Sequence, residues 1–115
     1  EEERVWGSFT NLYFSEGLKV KELIVKPNKG MSYQRHLKRN EIWLIHKGKC
    51  QVRYSKDSPE DSTIISLEKN DFFHVGVYEW HQIYNTNDED CHIIELQYGS
   101  LTEEEDIERL EYYEE

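Results

Sequence analysis

The chain has 115 residues, of which 37% are hydrophobic and 33% are charged, with 24 acidic against 14 basic side chains. This length excludes two independent hydrophobic cores, so we expect residues 1–115 to form a single domain. The longest apolar stretch, residues 42–45, is far shorter than the roughly 20 residues of a membrane-spanning helix, and we expect no secretory signal at Glu1. A membrane is therefore not an expected partner.

The acidic side chains are concentrated at the two ends of the chain. Eleven of the 24 lie in residues 1–3 and 103–115, which leaves residues 4–102 with 13 acidic and 13 basic side chains. We expect the ends to fray in part, at 1–3 and 111–115. Because acidic ends repel phosphate backbones and the basic residues form no stripe, nucleic acid is not an expected partner either.

Short β-strands account for most of the predicted structure. β-Branched and aromatic residues are enriched in six segments, at 19–25, 41–45, 63–67, 72–75, 81–84 and 92–96. Clusters of turn-forming residues separate these segments. Since no helical period lies between the strands, parallel β-α-β units are excluded, and the pattern indicates an antiparallel sandwich or small barrel.

One helix is predicted after the last strand. Thr102 and Glu105 have the spacing of a capping box, and the acidic first turn complements the helix dipole. Ile107 and Leu110 supply a narrow apolar edge. We therefore expect a short C-terminal helix that packs on the outside of the barrel and ends in the frayed residues.

The most informative polar pattern lies in residues 28–48. If residues 32–36 are extended, Gln34 and His36 point to the same face of the strand. Glu41 opens the next strand, and His81 opens another strand 40 residues later. Imidazole, carboxylate and amide oxygen are all ligands for a first-row divalent ion. The spacing fits a metal site, and it also fits His36 as a half-buried polar residue of a hairpin.

The remaining histidines carry weaker signals. His46 falls on the strand face opposite Glu41, and His92 precedes an apolar strand, so we interpret both as ordinary surface or core residues. His74 would reach the site only through a hairpin with His81.

Two motifs in this chain resemble those of the cupin superfamily. The first motif consists of a turn glycine, two ligands, a glutamate and a closing glycine, and its positions are Asn28, Gln34, His36, Glu41 and Gly48. The second motif falls on Asn70, residues 76–78, His81 and Asn85. Most cupins carry histidine at the position of Gln34, and glutamine there resembles the mannose-6-phosphate isomerase type II branch, a domain also found fused after a GDP-mannose pyrophosphorylase.

The resemblance covers nearly the whole chain. Residues 4–8 resemble the family's opening Arg-Pro-Trp-Gly segment, and residues 104–110 resemble its closing Gly-Glu-Asp-Asp-Ile segment. The chain departs from the family at Leu37 and Lys38, which replace two histidines, and at Asn28 and Asn70, which replace turn glycines. Asparagine tolerates the left-handed backbone that such turns require.

The resemblance implies an all-β fold, a single-domain cupin with a double-stranded β-helix or jelly-roll barrel, carrying the short C-terminal helix. It also implies a divalent metal ion, with zinc as the first choice and manganese, iron, cobalt or nickel as alternatives, held by Gln34, His36, Glu41 and His81. The implied reaction interconverts mannose 6-phosphate and fructose 6-phosphate, so a small-molecule sugar phosphate is the expected partner.

Such a reaction requires a group that carries a proton. Glu95 and Gln97 share the inward face of the last strand, and only Glu95 is able to act as a base. His74 and Lys38 are weaker alternatives. Glu95 would otherwise be a strand-surface carboxylate paired with a lysine.

The phosphate group requires cations at the mouth of the barrel. Lys38 and Arg39 lie in the turn between His36 and Glu41, so we expect both to overhang the metal, where Arg39 offers a planar fork to phosphate oxygens. Lys19 and Lys21 share a strand face, which either adds to this cluster or lines a solvated surface.

Two other functional classes stay open. A non-catalytic cupin would bind a metal or a sugar as an accessory domain, whereas an iron-dependent dioxygenase would favour histidine at Gln34. We also expect a homodimer, because open barrels cover exposed edges by pairing, with residues 9–14 as the strand to exchange. Cys50 and Cys91 form no CxxC pair, and two buried reduced thiols fit a cytoplasmic protein.

Overall fold

The computed structural model describes residues 1–114, which contain β-strands and turns and no helix. The strands in this part of the chain are β1 (Glu2–Arg4), β2 (Gly7–Ser15), β3 (Leu18–Val25), β4 (Lys29–Gly30), β5 (Tyr33–Arg35), β6 (Arg39–Lys47), β7 (Lys49–Ser55), β8 (Thr63–Glu68), β9 (Phe72–Val75), β10 (Trp80–Asn85), β11 (Cys91–Gly99) and β12 (Glu108–Glu111). The all-β prediction is confirmed.

The strands form two antiparallel sheets that face each other. The first sheet has the order β1-β2-β3-β11-β6-β9, and the second has the order β12-β5-β10-β7-β8, with β4 also paired to β10. All six predicted segments are strands of these sheets. The prediction missed β7, although Cys50 and Val52 on this strand are buried with the period of two that a strand requires.

The inner face of the first sheet changes from apolar to polar along its strands. On β11, Ile93 is followed at every second position by Glu95 and Gln97, and all three side chains are buried. The antiparallel register places Ile93 opposite Ile45 and Gln97 opposite Glu41. One end of the barrel is therefore filled with hydrocarbon, and the other end is lined by polar groups.

The apolar end contains the hydrophobic core. Its buried members come from both sheets and are Phe9, Leu23, Val25, Trp43, Ile45, Cys50, Val52, Leu67, Val75, Ile83, Cys91 and Ile93. The two cysteines are free thiols with no exposed surface, as the sequence predicts.

The predicted C-terminal helix is wrong. Residues 101–107 form an irregular segment, and the following strand β12 pairs with β5. Polar contacts with the barrel replace the helical hydrogen bonds: the Thr102 carbonyl accepts a bond from Lys19 Nζ at 3.1 Å, and the Asp106 carboxylate accepts bonds from two backbone amides. An edge of two apolar side chains is too small to hold a short helix against these contacts.

We call residues 101–114 the C-terminal strap. It crosses the polar end of the barrel and is held there by β12 and by ring stacking of Tyr113 on Tyr84, whose centroids are 5.3 Å apart. Residue 115 of the predicted frayed end lies outside the described residues. At the other end of the chain, Glu2 and Glu3 belong to β1.

Three residues other than glycine have a left-handed backbone, and each lies in a turn. Asn28 and Asn70, which replace family glycines, have φ angles of 61° and 76°. Tyr78 has a φ of 68° in the turn that leads into β10. Within residues 1–114, no helix is long and apolar enough to cross a membrane.

Candidate metal centre

Three buried side chains converge at the polar end of the barrel. His36 follows β5, Glu41 lies on β6 and His81 lies on β10, and each is about 2% exposed. One ligand atom from each lies within 4.8 Å of the other two. Two imidazoles and a carboxylate at this separation form a donor set suited to one divalent ion.

Backbone carbonyls fix the protonation of both imidazoles. His36 Nδ1 lies 2.6 Å from the Asp106 carbonyl oxygen, and His81 Nδ1 lies 2.9 Å from the Glu79 carbonyl oxygen. Because a carbonyl only accepts, each Nδ1 carries the proton, and each Nε2 presents a lone pair to the centre. His81 Nε2 is buried with no hydrogen-bond partner in the described chain. An unpaired buried lone pair of this kind fits a metal ligand.

Glu41 is oriented from both sides. Trp43 Nε1 donates to Glu41 Oε1 at 3.0 Å, and Arg39 Nε donates to Glu41 Oε2 at 3.0 Å. A second Arg39 nitrogen lies 2.9 Å from Glu41 Oε2 and 3.1 Å from His36 Nε2. The Arg39 guanidinium therefore supplies positive charge between two electron-rich atoms that are themselves 3.1 Å apart. A metal ion bound to those atoms requires Arg39 to release them.

The electrostatics of the cluster favour an ionised carboxylate and neutral imidazole. Burial acts to raise the pKa of Glu41, but its contacts with His36 and His81 and the positive charge of Arg39 hold that pKa well below its usual range. Burial lowers the pKa of His81 to about 4, against the opposing charge of Glu41. These are the protonation states in which both groups bind metals.

Gln34 lies beside this cluster on the second sheet. It is the Cα partner of His81 in the register of β5 and β10, so the two side chains share the inward face. Ser32 Oγ donates to Gln34 Oε1 at 3.0 Å. One lone pair of the amide oxygen is left for a cation.

A cavity of about 380 Å³ opens beside the cluster. This volume lies within the range of small-molecule sites. Arg39 belongs both to the cluster and to the cavity wall, and the other polar groups on the wall include Lys21, Gln34, Glu95, Gln97, Glu104 and Arg109.

Glu95 lies on the floor of this cavity and is 6% exposed. Its Oε1 accepts a hydrogen bond from Gln97 Nε2 at 2.7 Å, and Gln97 Oε1 is buried without a partner in the described chain. Burial raises the pKa of Glu95 to about 8, and the adjacent charge of Glu41 adds to this effect. Glu95 is thus a buried carboxyl that holds a proton near neutral pH.

The two cations predicted at the mouth occupy different places. Lys38 is exposed and lies outside the lining of the cavity. Arg39 is 5% exposed, because β6 begins at Arg39 and positions two apart on a strand share a face, so Arg39 points inward with Glu41.

The three histidines with weaker signals lie away from the cluster. His46 is exposed, and His92 is half-buried on the outer face of β11. His74 is exposed on β9, where its Nε2 lies 2.8 Å from the Tyr98 hydroxyl. None of the three belongs to the group of ligand atoms found in residues 1–114.

The sequence did not predict that the C-terminal strap contributes to the site. The Asp106 carboxylate accepts hydrogen bonds from the amides of Leu37 and Lys38, at 3.0 and 2.9 Å, while its carbonyl accepts the bond from His36. Asp106 thereby fixes both the backbone after His36 and the orientation of its ring. The signal in the sequence is the family-like segment 104–110, which overlaps the predicted C-terminal helix.

This chain is similar in sequence to known proteins. The family described as "Mannose-6-phosphate isomerase C-terminal" matches residues 1–112. The alginate biosynthesis protein AlgA of Pseudomonas aeruginosa is 34% identical over 108 residues, which is 94% of this chain and 21% of that protein. The mannose-1-phosphate guanylyltransferase ManC of Salmonella typhimurium is 29% identical over 94% of this chain and 21% of its own length.

A solved structure supports the fold. The cupin domain of Cnp3 from Schizosaccharomyces pombe superposes with a TM-score of 0.71 at 15% identity, over 79% of this chain and 63% of that chain. The two facing antiparallel sheets, with His36, Glu41 and His81 grouped between them, define the chain as a cupin. Within that class, the chain belongs to the mannose-6-phosphate isomerase C-terminal family. It spans about a fifth, 21%, of the length of the two relatives above.

Proposed function

We propose that this chain is a metal-dependent domain that interconverts mannose 6-phosphate and fructose 6-phosphate. The observation that carries the proposal is the buried group of three ligand atoms in a member of this family. Gln34, His36, Glu41 and His81 would hold the ion. When bound, a divalent ion supplies the positive charge that stabilises the oxygens of an enediolate.

Zinc is the ion we propose first. Its usual ligands are histidine nitrogen and carboxylate oxygen, and protein sites with an open position are common for it. Manganese, iron, cobalt and nickel bind similar donors. Elemental analysis of protein purified without added metal distinguishes them, and protein free of all five would contradict a resident ion.

Glu95 is the proposed proton carrier. Aldose to ketose conversion removes a proton from C2, returns one to C1, and moves the hydroxyl proton from O2 to O1. Gln97 holds Glu95 Oε1, so in the ionised form of Glu95 the other oxygen, Oε2, takes the proton from C2 and then returns it to C1. The unpaired Gln97 Oε1 is an acceptor for a sugar hydroxyl.

The direct test is an isomerase assay of the purified protein with each candidate metal added in turn. We expect turnover with at least one metal, and its loss in His36→Ala. The matched control is His46→Ala, an exposed histidine on β6 outside the cluster, which should leave turnover unchanged. Absence of turnover with every metal would contradict the proposal.

A non-catalytic metal- or sugar-binding accessory domain is the second candidate. Arg39 favours it, because this guanidinium pairs with Glu41 at 2.9 Å and lies 3.1 Å from His36 Nε2, so the chain itself supplies positive charge to both residues. This candidate predicts binding of a metal or of mannose 6-phosphate by calorimetry with no isomerase turnover. Turnover that depends on His36 excludes it.

We also propose that two copies pair through β2. Leu12, Tyr13 and Phe14 are each more than half exposed on this strand, at 54%, 55% and 67%. Pairing would cover these side chains. Light scattering after gel filtration tests the proposal, and a monomer at all concentrations would contradict it.

A further inference from the structure

The polar end of the barrel holds a lysine in an unusual setting. Lys21 lies on the inner face of β3, its side chain is 6% exposed, and its Nζ lies 4.2 Å from the centre of the Phe9 ring. An ammonium group withdrawn from water requires an anionic partner. Nζ finds one in Glu104 Oε1, at 2.5 Å.

Glu104 differs from its partner Lys21 in its exposure to solvent. It belongs to the turn of the C-terminal strap, and its side chain is 62% exposed. Burial acts to raise its pKa, but the hydrogen bond with Lys21 and the charges of Lys21, Arg39 and Lys19 lower it. A solvent-accessible carboxylate therefore sits among three cations at the edge of the cavity.

A further cation faces the same space from the second sheet. Arg109 on the exposed strand β12 is the Cα partner of Gln34, and its side chain lines the cavity at its solvent-facing side. Arg109 forms no ion pair with any residue of the described chain. The cavity is therefore lined by two cations, the buried Lys21 ammonium and the unpaired Arg109 guanidinium. The exposed Glu104 carboxylate lies beside them and can move into solvent.

We propose that Lys21 and Arg109 bind the phosphate group of a sugar phosphomonoester, and that Glu104 occupies this place until the phosphate displaces it. This inference rests on the proposed function for the sugar that the phosphate carries. A phosphate dianion presents more charge and more acceptor oxygens to the two cations than one carboxylate does. Displaced Glu104 remains solvated, because its side chain already faces water.

The position of the cavity also fits this assignment. Lys21 is the Cα partner of Glu95 in the register of β3 and β11, so the anion site adjoins the proposed proton carrier. Lys38, the cation expected from sequence, is exposed and outside the cavity. Lys21 and Arg109 therefore determine the specificity for phosphate at this site.

The test is calorimetric binding of mannitol 6-phosphate, which has no carbonyl and does not isomerise, with mannitol and inorganic phosphate as companion probes. We expect Lys21→Met to weaken mannitol 6-phosphate binding at least about tenfold without changing mannitol binding. Glu104→Gln should strengthen binding of both phosphate probes severalfold, because it removes the competing carboxylate while leaving the cations. Lys26→Met and Glu105→Gln are matched exposed controls and should bind like the wild type.

The Glu104 variant keeps the test valid if Lys21→Met does not fold, because Glu104 is exposed. Unchanged or weaker phosphate binding by Glu104→Gln would overturn the inference. Equal binding of mannitol and mannitol 6-phosphate to the wild type would overturn it too, and binding of inorganic phosphate alone would overturn the assignment to a sugar phosphomonoester. These results can be distinguished from those of the isomerase assay. If turnover is normal and the variants bind phosphate like the wild type, only this inference is refuted. If the variants bind as predicted and the protein shows no turnover, only the proposed isomerase activity is refuted.

Discussion

The two ends of this barrel are built on the same strands and use them for opposite purposes. At one end, Ile45 and Ile93 face each other in a dry core. At the other end, Glu41 and Gln97 face each other across the same two strands, among buried charges. Burying hydrocarbon stabilises the fold, whereas burying ionisable groups costs stability unless each is paired.

The comparison shows where the polar end obtains its support. Hydrocarbon packing needs no partner beyond the facing sheet, but the polar end depends on contacts from the C-terminal strap. Asp106 holds His36, and Glu104 holds Lys21. Changes at the apolar end should therefore alter stability alone, and changes at the polar end should alter binding first.

The largest expected effect is the loss of a proposed ligand. His81→Ala removes an unpaired Nε2 from the centre, and we expect isomerase turnover to fall by about 10³-fold or more, because a metal ion contributes several kcal/mol to transition-state stabilisation. Turnover and metal content measured together check this prediction. His92→Ala, on the outer face of β11, is the control. Full turnover in His81→Ala would show that the polar end is not a metal centre.

At the apolar end, Ile93→Ala should lower the free energy of unfolding by about 2–5 kcal/mol, because it leaves a cavity in the core. Chemical denaturation measures this loss. Metal affinity of the folded fraction should stay unchanged. Ile94→Ala, half-buried on the opposite face of the same strand, should cost less. A large loss of metal affinity in Ile93→Ala would mean that the two ends are coupled.

Removing the support from the strap should give an intermediate effect. Asp106→Ala deletes the acceptor of two backbone amides and loosens the carbonyl that holds His36. Outer partners of metal ligands commonly contribute 10- to 100-fold, so we expect metal affinity to fall by about that factor. Calorimetric titration measures it, and Asp106→Asn, which retains one acceptor oxygen, should recover part of the loss. Asp61→Ala, at an exposed position, is the control. Wild-type metal affinity in Asp106→Ala would show that the C-terminal strap does not support the metal centre.

The smallest expected effect is a pH-dependent contribution from the pair of Lys21 and Glu104. The folded pKa of Glu104 is lowered, so the pair stabilises the protein above the unfolded value of about 4.3 and loses this contribution as the pH falls through the folded value. The melting temperature of Glu104→Gln should lie below that of the wild type at neutral pH, and the difference should vanish in acid. Solvent screening keeps the difference small.

A difference that persists unchanged in acid would assign the effect to packing instead of charge. Glu105→Gln, on the same turn, should match the wild type at every pH.

The sequence allowed prediction of the strands because enrichment in β-branched and aromatic residues is a local property. It is visible in each of the six predicted segments without knowledge of the partner strand. The proposed ligands Gln34, His36, Glu41 and His81 also follow from spacing and family motifs. Their inward placement and the convergence of His36, Glu41 and His81 are seen only when the two sheets face each other.

Arg39 shows how a two-residue shift in a strand boundary changes a site. We expected the strand to begin at Glu41, which would leave Arg39 in an exposed turn. In the structure β6 begins at Arg39, so the guanidinium shares the inward face with Glu41. Boundaries depend on hydrogen bonds with the neighbouring strand, which local sequence does not specify.

The C-terminal strap shows a different error, in which the local sequence predicts a helix that tertiary contacts prevent. Thr102 and Glu105 have helix-capping spacing, yet Thr102 is bonded to Lys19 and Asp106 to the chain after His36. These partners are more than 60 residues away in sequence. Tertiary contacts of this kind override propensity and are invisible to a local pattern.

The most direct test of the metal centre is an anomalous-scattering map from crystals of the protein, recorded at the absorption edge of the metal found by elemental analysis. We predict one peak within bonding distance of His36 Nε2, Glu41, His81 Nε2 and Gln34 Oε1, with the Arg39 guanidinium released from Glu41. A map without a peak at these four side chains, and with Arg39 still bonded to Glu41 and His36, would contradict the account.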